Sequence, residues 1–319
     1  MRWLWIGCFL FLRTALNAQE LFPLSEPANT LPAGVLGLRL YSDGNYEIRT
    51  LKWMAGARLM YGVTSRLSLY LSGTASNHHS KKLPPDLVSH THPSGGSPYY
   101  FTRQVLRGQV YPMNWNGFHL MAKYRFLNLD GKNSHLRMAL IAEGSLVKQA
   151  HDEAEPNLLH DNRGWGAGLI VSLLQNRFAA SMTLAGILPS DYIEQSPDQI
   201  TGSPVERRMS YGNGLRYSLS LGYLVQGNRT NDYDEPSTSL YLELIGSSWG
   251  DAKFVYDGRS IPTENPAFKA GYYLEIHPGI QRVIGSNLRM ELSVGFPLFH
   301  RSWVHYYPMY SLGIQRFFY

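Results

Sequence analysis

Cysteine is almost missing: Cys8 is the only one in 319 residues, and it falls in a leader-like stretch. The opening MRWLWIGCFLFLRTALNAQE has a basic start at Arg2, an apolar run from Trp3 to Leu12 and a small residue at Ala18, the pattern of a secretory signal peptide over residues 1–18. Removing it leaves no cysteine, which excludes disulfides and thiolate chemistry. It also removes two arginines and no acid, so the formal charge falls from +5 to +3. That balance is too mild to argue for nucleic acid as a partner. Long apolar runs are missing too. Past the leader no window approaches the roughly 18 residues a membrane-spanning helix needs, and the mean hydropathy of -0.23 agrees. Phosphate-cradling loops are absent, since GGSP and WGAGL lack a following Lys-Ser/Thr, and no cofactor is expected.

What the chain does have is alternation. In GLRYSLSLGYLV, Leu215, Tyr217, Leu219, Leu221, Tyr223 and Val225 interleave with Arg216, Ser218, Ser220 and Gly222. A period of two describes a strand with one apolar and one polar face. The same pattern runs through 118–126, 136–146, 165–173, 178–188, 239–247, 272–281, 288–296 and 67–73, and less regularly through 35–41, 53–61 and 306–319. Together these make about twelve strands.

A soluble β-sandwich alternates as well, so connection lengths must decide. GVTS, NLDGKN, LQNR and GSN are tight turns, and between them come long segments at 76–116, 148–163, 189–213 and 249–269. Only QGNRTNDYDEPST is longer than this parity wants. Short turns at one end and long loops at the other predict an all-β fold, a closed antiparallel transmembrane β-barrel with short periplasmic turns and long extracellular loops. Face chemistry agrees: a charge facing hydrocarbon costs roughly 2–4 kcal/mol at the midplane and little in a wet lumen. Arg216, Glu243, Glu275, Arg289, Glu291, Lys123, Arg125, Arg137 and Glu143 all share the polar parity. Tyr124, Tyr217, Tyr223 and Tyr272 near strand ends suit interfacial girdles. The expected division is a signal peptide over 1–18, an N-terminal extended periplasmic segment over 19–32, and an outer-membrane barrel over 33–319. Pro278 predicts a bulge or a kinked wall. Arg316 shares a face with Tyr310, Leu312, Ile314 and Phe318, which demands either a snorkelling arginine or a shifted register.

The terminal SLGIQRFFY resembles the C-terminal aromatic signal by which Gram-negative outer-membrane proteins engage the barrel-assembly machinery. FPLSEPANTLPAG and HPGIQRVIGSNLRMELSVGFPL resemble segments of the meta-pathway phenol-degradation and FadL-like transporter barrels, Bacteroidetes members in particular. The resemblance implies a porin-like transport protein of the cell outer membrane, partnered by outer-membrane lipids, the assembly machinery and a small-molecule solute.

Arg216, Glu243, Glu275, His277, Gln281, Arg289, Glu291, His119, Lys123 and Arg125 are the candidate lumen residues, either lining a solute path or filling the interior with ion pairs. His78, His79, His90 and His92 are candidate metal ligands in an outer loop, although their spacing matches no compact tetrahedral site. The FPLSEPANTLPAG segment can plug the periplasmic mouth or act as a tether. As function, the sequence points to passive or facilitated passage of small solutes, hydrophobic compounds or metal ions among them. The alternatives are a structural or partner-binding barrel and a lipid-modifying hydrolase. The last needs a lipid-facing serine and histidine pair, which neither His119 nor His277 supplies, so no enzymatic activity is expected.

Overall fold

A computed structural model describes residues 22–47, 50–77, 112–147, 153–197, 202–227, 236–262, 266–285, 287–302 and 305–319. Residues 1–18, where a signal peptide is expected, and the loop histidines His78, His79, His90 and His92 lie outside the described residues.

Alternating sequence becomes strand throughout. In chain order these are β1 (Leu36–Glu47), β2 (Thr50–Gly62), β3 (Leu67–Ser76), β4 (Asn114–Asp130), β5 (Ser134–Ser145), β6 (Gly164–Gln175), β7 (Phe178–Pro189) and β8 (Tyr192–Pro197). They continue with β9 (Pro204–Ser210), β10 (Gly214–Gln226), β11 (Ser237–Trp249), β12 (Lys253–Tyr256), β13 (Arg259–Ile261), β14 (Gly271–Ile284), β15 (Leu288–His300) and β16 (Met309–Phe318). Twelve of these form one closed barrel in the order β1 to β7, β10, β11, β14, β15, β16. The seam is antiparallel, from Leu36 opposite Phe318 to Asn45 opposite Met309. Closure leaves no strand edge with unpaired N–H and C=O groups, the condition for crossing hydrocarbon.

The burial pattern is inverted relative to a water-soluble protein. On β10, Leu219 is 43% exposed and Leu221 41%, while Ser220 between them is fully buried. Opposite them, Glu243 is 0% exposed. Lys and Glu are almost never fully buried in water-soluble proteins unless paired, and an apolar belt this wide would not face water. The outer surface is solvated by acyl chains, and the polar set faces the lumen. Tyr124, Tyr223 and Tyr272 are exposed on the outer face, as girdle positions require.

Cross-strand tyrosines stiffen the wall from both sides. Inside, Tyr241 on β11 lies across Gly279 of β14 and donates to the Leu292 carbonyl of β15 at 2.8 Å. Outside, Tyr217 on β10 lies across Gly246 of β11 and donates to the Tyr273 carbonyl at 3.1 Å. A Cβ at either glycine would sit 2.2 Å from the ring, so only glycine permits the crossing.

The two irregularities expected from sequence resolve differently. Pairing of β14 with β15 lapses at His277 and Pro278, and the register shift sits slightly earlier, between Leu274 and Glu275. Proline withholds one ladder donor, while the bulge itself lies where the wall approaches the extracellular rim. Arg316 brings no shift: β16 keeps one register against β1 and β15. The arginine points outward, its guanidinium 5.6 Å from the Phe318 ring near the periplasmic end.

Four strands were not anticipated. β8 with β9, and β12 with β13, are hairpins inside the β7–β10 and β11–β14 connections, and β9 pairs with β12 to give a four-stranded extracellular sheet. It has its own apolar core of Ala154, Met209, Phe254 and Phe268, continuous with Trp249 and Tyr273 at the top of β11 and β14.

Candidate functional site in the lumen

The N-terminal segment lies inside the barrel. Its prolines and lack of period-two patterning keep it from joining the sheet, so its backbone N–H groups need other partners. The lumen provides them. Leu24 and Ser25 donate their N–H groups to the Glu243 carboxylate at 3.1 and 2.9 Å, Ala28 to Ser172 Oγ at 2.8 Å, and Leu31 to Ser68 Oγ at 2.8 Å. Ser25 and Ser220 hydroxyls meet at 2.7 Å.

Charge fixes the middle of the segment. Glu26 pairs with Arg58 and, at 3.2 Å, with Lys123, whose ammonium also donates to the Pro27 carbonyl at 3.0 Å. Lys123 is fully buried and lies 4.9 Å from the Tyr70 ring, a second source of stabilisation for the cation. Arg137 donates to Asn29 at 2.8 Å, Thr183 to the Glu26 carbonyl at 3.5 Å, and Arg39 to the Pro23 carbonyl at 2.6 Å. Ala28, Leu31 and Val35 then pack on Met60, Tyr70, Met121, Ile141 and Ile170 in an apolar patch of the lumen. This is a plug held by charge on one side and grease on the other.

Above it, near the extracellular end, stand two carboxylate centres. Glu143 on β5 receives His119 at 3.0 Å and Arg216 at 2.9 Å. Glu275 on β14 receives His277 at 2.8 Å, the Tyr307 hydroxyl at 2.5 Å, and His305. His305 reaches on to Glu155 at 2.9 Å, and Ser302 donates to the same carboxylate at 2.6 Å. The imidazole thus ties the β5–β6 and β15–β16 loops to the wall.

Of the residues singled out by sequence, His119, Lys123, Glu243, Glu275, His277, Gln281, Arg289 and Glu291 are buried in the interior, and Arg216 is partly exposed there. Arg125 sits at the periplasmic rim, donating to the Ser65 carbonyl at 2.8 Å. His119 and His277 both point inward onto carboxylates, so neither faces lipid beside a serine. Among the described residues no cluster of His, Asp and Glu is arranged to hold a metal ion. Sequence reasoning missed Glu26, Arg39, Arg58, His305 and Tyr307. Arg39 and Arg58 were findable as lone cations of lumen parity in LGLRLY and GARLMYG.

His305 supplies a pH test. Burial disfavours its imidazolium, but the carboxylates of Glu155 and Glu275 outweigh that and hold its pKa well above the ordinary histidine value. A raised folded-state pKa means a stabilisation fully present below the ordinary value and lost as pH rises through the folded one. The loop anchorage therefore weakens under alkaline conditions. His305→Gln should cost about 3 kcal/mol at neutral pH, as breaking a buried pair does. It should also flatten the alkaline decline in melting temperature and in loop resistance to protease. An unchanged alkaline decline in the variant would remove this residue as its cause.

Comparison with known proteins finds no matching family model and no matching curated protein. Solved structures do match. An outer membrane channel from Pseudomonas putida F1 superposes with a TM-score of 0.56 at 14% identity, over 94% of this chain and 100% of that one. The β domain of the Bordetella autotransporter BrkA gives 0.41 at 14% identity, over 90% and 100%. The NanC porin gives 0.42 at 11%, over 86% and 97%. At 14% identity the likeness to the first of these is one of fold, that of an outer-membrane barrel.

Proposed function

We propose that this outer-membrane barrel gives small solutes passive or facilitated passage along the sector of the lumen formed by β14, β15 and β16. The observation that carries the reading is how the plug is distributed. Its hydrogen bonds described above fall on β1 to β7, β10 and β11, and none of them is to β14, β15 or β16. Along the remaining sector, Nε2 of Gln281 and of Gln315 are buried without a hydrogen-bond partner among the described residues. Polar groups of that kind suit a path on which a solute or its water makes transient bonds.

The barrel is no enzyme on this reading, and His277 beside Glu275 serves the filter. Hydrophobic compounds and metal ions both belong to the candidate solutes, the latter through His78, His79, His90 and His92. Kinship with the phenol-degradation and FadL-like transporters, and with Bacteroidetes barrels, belongs to the same proposal. So do a cleaved leader and recognition of the terminal Phe317-Phe318-Tyr319 by the assembly machinery.

The filled interior and the extracellular sheet favour a second reading, a structural or partner-binding barrel. Planar-bilayer recording separates the two. Purified protein should conduct, and Ser293→Trp, which puts bulk into that sector, should lower the current. Absence of both current and solute flux from folded protein sinks the passage reading.

A further inference from the structure

Two arginines stand on the lipid-facing side of the barrel, among exposed apolar side chains. Outward side chains on β14 are the even-numbered ones, so Arg282 shares a face with exposed Ile280 and Ile284, and on β16 Arg316 shares one with exposed Ile314 and Phe318. Arg282 donates to Gln226 at 2.9 Å and also to Thr238, both neutral. Arg316 has the Phe318 ring. Among the described residues neither guanidinium has a carboxylate within 4.0 Å. Both lie within two residues of the periplasmic end of their strands, at the depth where the belt gives way to headgroups.

The register sets them around one spot. Arg282 lies opposite Met290 of β15, which lies opposite Ile314 of β16; one step lower, Ile284, Leu288 and Arg316 make the parallel row. The two arginines therefore flank β15 two strands apart. With strands about 4.8 Å apart and a rise of about 3.4 Å per residue, their Cα atoms are about 12 Å from each other, so two extended guanidiniums can meet over Leu288 and Met290. Beside that point a shallow furrow of about 610 Å³ crosses the outer wall over two adjacent residue rows of β14, β15, β16 and β1, lined by Leu40, Ile280, Met290, Leu292, Leu312 and Ile314.

We propose that this is a binding site for one phospholipid of the periplasmic leaflet, its phosphate between Arg282 and Arg316 and an acyl chain in the furrow. Polarity agrees: the cations are at the rim, where a phosphate lies, and the apolar trough begins beside them and reaches one residue row further from that rim. A guanidinium fork matches phosphate oxygens in geometry as well as charge. A lipid carrying net negative charge is favoured, because the zwitterionic ammonium would face two guanidiniums. The site owes nothing to the lumen or to the passage reading.

Native mass spectrometry of the detergent-purified full barrel, titrated with phosphatidylglycerol, tests this. Wild type should retain one lipid. Arg282→Gln with Arg316→Gln should weaken retention by about tenfold, the factor for roughly 1.4 kcal/mol. Arg66→Gln, in a periplasmic turn, should leave it unchanged. Leu312→Trp should weaken it with both arginines intact, by filling the furrow. Folding of each variant is read from its heat-modifiable gel shift. Diacylglycerol, the same tails without phosphate, should not be retained. Equal retention of diacylglycerol, or equal phosphatidylglycerol retention by the folded double variant, overturns the assignment.

Discussion

Deleting residues 22–32 while keeping residues 1–21 should raise the single-channel conductance of the barrel by about an order of magnitude. A barrel of this strand number sits between side-chain-filled eight-stranded barrels and open sixteen-stranded porins, so what occupies its lumen decides whether water passes. Here the occupant is one extended segment. Glu243, Lys123 and Arg58 of the wall hold it, and all three are hydrophilic enough to stay hydrated once it leaves. A softer variant guards against misfolding. Glu26→Gln with Glu243→Gln keeps the segment but removes its own carboxylate and the wall carboxylate that anchor it, and should produce frequent transient openings. Conductance unchanged in both variants, with folding verified, would show that the segment does not set the permeability.

Leu219→Arg should destabilise the folded barrel by roughly 2–4 kcal/mol in lipid vesicles, the second large effect. Leu219 stands midway along β10, exposed to acyl chains, with Leu244 and Met182 as its cross-strand partners. An arginine there has no water and no neighbouring acid. The same substitution at Leu215, on the same face but one residue from the extracellular end of the strand, should cost about 0–1 kcal/mol. Urea titration of vesicle-reconstituted protein reads both. Equal costs at the two positions would mean that depth in hydrocarbon does not govern this face.

That contrast depends on parity, and parity is what a single sequence carries best. Each alternating segment became one barrel strand because period two is visible whenever one face meets lipid and the other a polar interior. The lumen placement of Glu243, Glu275 and Gln281 followed from the same rule. β8, β9, β12 and β13 were hidden for the opposite reason: they sit above the membrane, where both faces of VERRMS or KFVY tolerate mixed polarity. The plug was visible as a proline-rich segment but not as a plug, since nothing local says which side of a wall an extended chain takes. His305 escaped because its partners Glu155 and Glu275 are distant in sequence and meet only after the barrel has closed. Arg316 was legible as an oddity, and its meaning needed the neighbouring strands.

The route of the N-terminal segment also constrains the order of assembly. It leads directly into β1, yet its Leu24 amide is bonded to Glu243, 219 residues away on the far wall. A hoop sealed by β1 against β16 cannot admit that thread sideways. Either the segment is laid across the growing sheet before the seam joins, or it enters end-on from the periplasm afterwards. Such distant pairings form slowly. End-on entry predicts that pulse-labelled biogenesis passes through a ring already resistant to heat whose leading residues are still open to protease, whereas laying the segment first predicts that the two signals arrive together.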